Sequence, residues 1–186
     1  MQIKKTTCVV FIRLLCRKFY RHNRLNLDRI PDLIYLRDYD GDYQKYEDAA
    51  YQLYLTTLGT HYFEWNGKPI RHKKHPMTKD KSCTFWHITS EGPEEDDRTA
   101  DLRRFERIAW PGYILSYCAQ NCEKILVWKN KRGGKQRILI FCPEINYIVV
   151  LDERSDYCLF WTAYPLHGHR KKKLLKEYSE YVKKNA

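Results

Sequence analysis

Between Lys124 and Tyr164 the chain repeats one pattern four times: a short apolar run, then a polar connection too brief to hold a helix. The runs are Lys124–Lys129, Gln136–Cys142, Tyr147–Leu151 and Tyr157–Tyr164. Gly133-Gly134 makes the first turn, Pro143 and Asn146 mark the second, and Asp152 to Asp156 forms the third. Strands joined by connections this short pair antiparallel, because a parallel return needs a crossover of a dozen residues or more. The pattern therefore predicts a four-stranded antiparallel meander. After His169, Leu174, Leu175, Tyr178, Tyr181 and Val182 recur at helical spacing and predict a C-terminal helix.

Upstream, Tyr43, Tyr46, Ala50, Leu53, Tyr54 and Thr57 recur at the same spacing and predict a helix over Asp42–Leu58. Its acidic residues, Asp42, Glu47 and Asp48, suit the N-terminal end of a helix dipole. Residues 59–82 read as a connector, with Gly59, Gly67, Pro69 and Pro76. Thr84–Thr89, rich in aromatic and β-branched residues, reads as a short strand. Glu91 to Thr99 reads as an acidic loop. The fold class expected is α+β: N-terminal helices packed on a four-stranded antiparallel meander, closed by a C-terminal helix. A chain of 186 residues has room for one such domain with a core of its own.

Residues 1–29 differ from the remainder, being strongly basic with one acid, Asp28. They read as an N-terminal extension, with residues 30–186 as the domain proper. The apolar run Thr6 to Cys16 is interrupted by Arg13, has no small-residue cleavage site, and is too short to span a bilayer. No integral membrane segment is expected. The seven cysteines include no Cys-x-x-Cys pair, and Cys83, Cys142 and Cys158 fall within apolar runs. Cys118 and Cys122 are spaced to share a helix face, with no second pair to complete a zinc site. The thiol pattern fits a reducing cytoplasm.

The formal charge of +11 favours a polyanionic partner: RNA, DNA or an acidic membrane surface. The segment Phe160–Lys173 concentrates matching chemistry. Thr162 and Tyr164 share one strand face, His167 and His169 follow, and Arg170, Lys171, Lys172 and Lys173 supply four consecutive cations. Cutting an RNA phosphodiester needs a base for the 2′ proton, an acid for the leaving oxygen, and cations for the charge on phosphorus. Histidine and arginine fill these roles without a metal or cofactor. His87 is open to two readings, a proton-transfer group or a hydrogen-bonded core residue. Arg103, Arg104 and Arg107 either hold phosphate or form a salt-bridged face with Asp101 and Glu106. His72 and His75 are either a metal pair or solvated loop residues. The chain has no Walker lysine, no His-Glu-x-x-His and no nucleophile elbow.

Four segments, in order, carry a family resemblance: Phe85-Trp86-His87-Ile88-Thr89-Ser90-Glu91-Gly92, Asp101–Ile108, Trp161-Thr162-Ala163-Tyr164 and His169–Tyr178. Together they resemble the phage-type branch of the Barnase–EndoU–colicin–RelE nuclease superfamily, over about residues 31–182. The resemblance implies a metal-independent endoribonuclease, often a toxin or mobile-element effector, whose partners are RNA and an antitoxin or immunity protein. It implies catalytic groups at His87, Arg104 or Arg107, Glu106, Thr162 and Tyr164, with Arg170 beside them. Arg103, His167, His169, Arg170, Lys171, Lys172 and Lys173 are then expected to bind substrate. The competing expectation is a nucleic-acid-binding module without turnover.

Overall fold

The computed structural model describes residues 30–92, 98–118 and 124–185, with the backbone alone for Tyr117 and Cys118. The basic extension 1–29, the Cys118–Cys122 spacing and residues 93–97 of the acidic loop lie outside what can be described.

Helix α1 (Tyr43–Tyr54) begins where Asp42 accepts a hydrogen bond from the Lys45 amide at 3.1 Å, the N-cap arrangement that satisfies one orphan donor. Tyr46, Ala50 and Tyr54 bury its inner stripe, and a π turn, Leu55–Gly59, extends it. Helix α4 (Trp110–Cys118) crosses close to that turn. A Cβ on Gly112 would sit 2.0 Å from the Thr57 carbonyl oxygen, so only glycine permits the approach.

The span read as a connector contains a hairpin, β1 (Glu64–Trp65) and β2 (Lys68–Arg71). Asn66 and Gly67 turn it with φ of 49° and 75°, the positive values a two-residue hairpin loop requires. Pro69 disguised the strand, since proline lacks a ladder donor. Helix α2 (Cys83–Thr89) replaces the strand expected over Thr84–Thr89. Ser82 caps it by accepting from the Phe85 amide at 3.4 Å, and Phe85, Ile88 and Thr89 bury one helical face. Packing of that face overrides the β preference of the residue types.

Strands β3 (Ser90–Glu91) and β4 (Thr99–Ala100) form a small antiparallel pair. Helix α3 (Leu102–Glu106) follows, capped by Asp101 accepting from the Arg103 amide at 2.9 Å. The meander then runs through β5 (Leu126–Arg132), β6 (Lys135–Cys142), β7 (Tyr147–Glu153) and β8 (Cys158–Pro165), and α5 (Gly168–Asn185) completes the described chain. The architecture is α+β, but the sheet has six strands, in the order β1-β2-β8-β7-β6-β5, and is mixed. The hairpin adds to the meander through a parallel pairing of Ile70 with Cys158 and Arg71 with Leu159.

The sheet is covered on both faces. Val149, Leu151, Phe160 and Ala163 pack with the helices upstream of the meander, including Tyr46, Phe85 and Phe105. Trp128, Leu139, Phe141, Ile148 and Val150 pack beneath α5, which inserts Leu174. Glu177 locks the helix down, accepting from the Trp128 indole at 2.8 Å and from the Asn130 side-chain amide. Among the described residues, no helix is long and apolar enough to cross a membrane.

Two features of β8 open space for a site. First, its pairing with β7 is irregular: Leu151 faces Phe160 and Val150 faces Thr162, leaving Trp161 without an opposite residue. This bulge shifts the strand's phase. Phe160 and Ala163 face the upstream helices, whereas Trp161, Thr162 and Tyr164 all turn toward the other face, with Val150 and Ile148. Second, β2 pairs with β8 only as far as Leu159, so the rest of that β8 edge meets α2 and α3 instead of another strand.

Candidate nucleic-acid cleft

A cleft of about 500 Å³ lies where the bulged end of β8, the C-terminal end of α2, α3 and the start of α5 meet. Among the described residues, six arginines line it: Arg98, Arg103, Arg104, Arg132, Arg137 and Arg170. Among the described lining residues, two carboxylates, Glu91 and Asp101, oppose them. Such a surplus of guanidinium groups in a concave site selects for anionic, forked acceptors, of which phosphate is the commonest.

His87 enters from the last turn of α2. Its carbonyl, one of those a helix end leaves without an intrahelical donor, accepts from the Thr162 hydroxyl at 3.3 Å. Its Nδ1 lies 3.4 Å from an Arg98 terminal nitrogen, and its ring is tilted against Trp161 at 5.9 Å. Across the cleft, His167 Nε2 lies 2.7 Å from Arg103 Nη1. A guanidinium has no acceptor, so in both contacts the imidazole nitrogen is the one accepting.

Arg104 is held three ways: it donates to the Ser90 carbonyl at 2.8 Å, pairs with Glu91 at 3.2 Å, and approaches Asp101 at 3.4 Å. Its guanidinium lies 5.3 Å from the centre of the Tyr164 ring. The Tyr164 hydroxyl accepts from Arg170 at 3.1 Å, tying the end of β8 to the first turn of α5. Arg137 lies over Trp161, its guanidinium 4.0 Å from the ring centre. Behind it, fully buried Asp152 pairs with Arg137 at 3.1 Å and, on its other oxygen, with Arg154. Burial pulls the Arg137 guanidinium below its ordinary pKa, and the Asp152 charge works against that pull.

The structure thus brings together His87, Arg103, Arg104, Thr162, Tyr164, His167 and Arg170, from segments well separated in sequence. It leaves out two residues the resemblance implies. Glu106 and Arg107 pair with each other at 2.9 Å, and Arg107 also donates to the Arg103 carbonyl and covers the Trp110 ring. Neither lines the cleft. The reason is helical geometry: α3 turns Arg103 and Arg104 toward the cleft, whereas Glu106, its last residue, and Arg107, its C-cap, fall on other sides of the turn.

The cationic run divides similarly. Lys171 donates to the Pro143 carbonyl at 3.2 Å, and Lys173 lines a neighbouring cavity with Arg170. His169 and Lys172 are exposed on α5 and outside the cleft lining. His72 is not a solvated loop residue: its ring stacks on Phe160 at 5.5 Å, and burial lowers its pKa to about 4. Among the described residues, no three His, Cys, Asp or Glu side chains gather as metal ligands.

Three polar or aromatic lining residues escaped the reading of the sequence: Arg98, Arg137 and Trp161. Arg98 is the one Lys or Arg between Lys81 and Arg103, so no local cluster marks it, and Arg137 falls in a run that reads as an apolar strand. Trp161 sat in a run that read as core, and only the bulge turns it to the cleft. No family model, curated protein or solved structure matches the chain.

Proposed function

We propose that the cleft is the active site of an endoribonuclease that cleaves RNA without a metal and leaves a 2′,3′-cyclic phosphate. The observation that carries this reading is the convergence of two histidines, two hydroxyls and six arginines on one concave surface. The order of the Phe85–Gly92, Asp101–Ile108, Trp161–Tyr164 and His169–Tyr178 segments adds the resemblance to the Barnase–EndoU–colicin–RelE nucleases. In that reading the chain is a toxin or mobile-element effector, restrained in its host by an antitoxin or immunity protein.

The chemistry balances with these groups alone. The 2′-oxygen attacks phosphorus while one histidine takes its proton. The bond from phosphorus to the 5′-oxygen breaks, and the other histidine supplies a proton to that oxygen. His87 and His167 are the pair. Arg104 and Arg170, flanking Tyr164, hold the phosphate oxygens as charge builds on them. Thr162 fixes the end of α2, and so the place of His87.

The guanidinium contacts on the two histidines give the cycle a starting point. With the cleft free of substrate, Arg98 and Arg103 donate to the imidazole nitrogens. A phosphate is a stronger acceptor than a neutral imidazole. A bound backbone therefore draws both arginines away and frees both imidazole lone pairs: one accepts the 2′ proton, and the other first takes up a proton from solvent, which it then delivers to the 5′-oxygen.

The decisive test is purified protein on a broad panel of RNAs, with product ends analysed. Cleavage to a cyclic phosphate and a 5′-hydroxyl is expected. Tight binding with no cut product on any RNA would replace this reading with a non-catalytic nucleic-acid-binding module.

A further inference from the structure

The cleft does not end at its rim. On one side it shares His87 and Arg98 with a cavity of about 280 Å³ that also presents Lys79 and Trp86. On the other it shares Arg132 and Arg170 with a cavity of about 340 Å³ that presents Lys131 and Lys173. Three cavities thus run in series across the molecule, each joined to the next by residues that line both.

The two indoles on this path are built as platforms. Trp86 donates from Nε1 to the Thr78 carbonyl at 3.0 Å, which fixes its plane, and Lys79 lies 5.8 Å from its ring centre. Trp161 lies on the floor of the central cleft, steadied by Arg137 at 4.0 Å. A cationic path that alternates with aromatic faces is what an unpaired strand uses: phosphates meet the cations and splayed bases stack on the rings. A duplex keeps its bases stacked on each other, and an A-form helix exposes no base face to a recessed indole.

We infer that the three cavities form one continuous track for extended single-stranded RNA, with Trp86 and Trp161 stacking bases on it. The inference rests on the nuclease reading for the identity of the strand as RNA. The scissile phosphate lies in the central cleft. The Lys79–Trp86 arm takes nucleotides on one side of it, and the Lys131–Lys173 arm takes nucleotides on the other.

The test is equilibrium binding of the whole chain to fluorescent 2′-fluoro RNA, which lacks the attacking hydroxyl and stays intact. Oligomers run from about 2 to about 12 nucleotides, beside a duplex of the longest sequence. Affinity should rise with length and then level off once the track is full, and the duplex should bind at least about tenfold more weakly. Trp86→Ala, and separately Lys131→Ala with Lys173→Ala, should weaken the longest oligomer about tenfold and leave the shortest unchanged. Equal affinity at all lengths, duplex binding as tight as single-strand binding, or arm variants that weaken short and long oligomers alike would each overturn the track. Parallel incubation with ordinary RNA keeps the two readings apart. Length-dependent binding without cleavage retains the track and removes the nuclease. Cleavage with length-independent binding retains the nuclease and removes the track.

Discussion

The Thr162 hydroxyl donates a 3.3 Å hydrogen bond to the main-chain carbonyl of His87, 75 residues earlier in the chain. It joins a hydroxyl on the bulged strand to the helix end that presents the histidine. Thr162→Val keeps the shape and removes the donor. Stability should fall by about 1 kcal/mol, the ordinary net worth of such a bond. Cleavage should fall further than the lost stability explains, because the histidine is no longer held in register. Denaturant midpoints and single-turnover rates on the same preparation give the comparison.

His87→Ala should reduce cleavage by roughly 10²- to 10⁴-fold, the usual worth of a proton-transfer group, with RNA affinity nearly unchanged. Arg170→Ala should act on both. It removes a phosphate contact, so binding weakens and the log–log salt slope shrinks by about 0.7. Titrating RNA binding across salt, beside cleavage rates, separates the two patterns. Equal loss of binding and cleavage in His87→Ala would remove His87 from proton transfer.

The meander was legible because each of its turns is written locally: Gly133-Gly134, Pro143 to Asn146, and Asp152 to Asp156. Helix α1 was legible for the same reason, its stripe lying within one turn-spacing window. The misread elements are those that tertiary contacts decide. Residues Thr84–Thr89 have β-forming side chains, yet they coil because Phe85, Ile88 and Thr89 share a buried face; the Ser82 cap was the one local sign. The β1–β2 hairpin joins the sheet through Cys158 and Leu159, nearly half the chain away. In the cleft, residues with a cluster around them were found. Arg98 and Arg137 were not: Arg98 is isolated from other cations in sequence, and Arg137 lies in a run that reads as an apolar core strand until the fold turns it to the cleft.

Asp152 should prove a supporting residue for the cleft despite never reaching it. It is fully buried between Arg137 and Arg154. Asp152→Ala leaves two guanidinium groups facing each other without a counter-charge, and should cost about 3–5 kcal/mol of stability. Arg137→Met with Asp152→Leu restores an apolar fit and should recover much of that loss, without restoring RNA affinity. Thermal unfolding and binding measured on the single and double variants test the split.

Acid should loosen the packing behind β8 through His72. Burial holds this imidazole neutral, with its pKa lowered to about 4 against an ordinary value of 6.5. The unfolded chain therefore binds a proton between those values that the folded protein does not. The His72 contribution is complete above pH about 6.5, falls away as the pH drops toward about 4, and changes no further below that. In His72→Phe, which keeps the stacking on Phe160, that part of the decline should disappear. Melting temperatures of both proteins from pH 7.5 to about 3.5 measure it.

Chelation should leave cleavage untouched. The proposed steps use imidazole, hydroxyl and guanidinium groups only, so a rate measured in excess EDTA should equal the rate without it. Loss of activity that magnesium restores would overturn the mechanism.

No stretch of the chain carries the site by itself. The His87–Arg104 wall and the Arg132–Arg170 floor lie on opposite sides of the segment 105–131. During synthesis the wall leaves the ribosome first, and the floor completes it only after Arg170 has emerged. On the proposed nuclease reading, a growing chain is harmless to the RNA that encodes it until the sheet closes. A practical break point lies at the Gly133–Gly134 hairpin tip, just after Arg132, where an added side chain would meet no neighbour. Two fragments separated there hold the His87 wall on one piece and Arg137 with all of β8 on the other. On the same reading neither piece should cut alone, and RNA cleavage recovered on mixing would report their reunion.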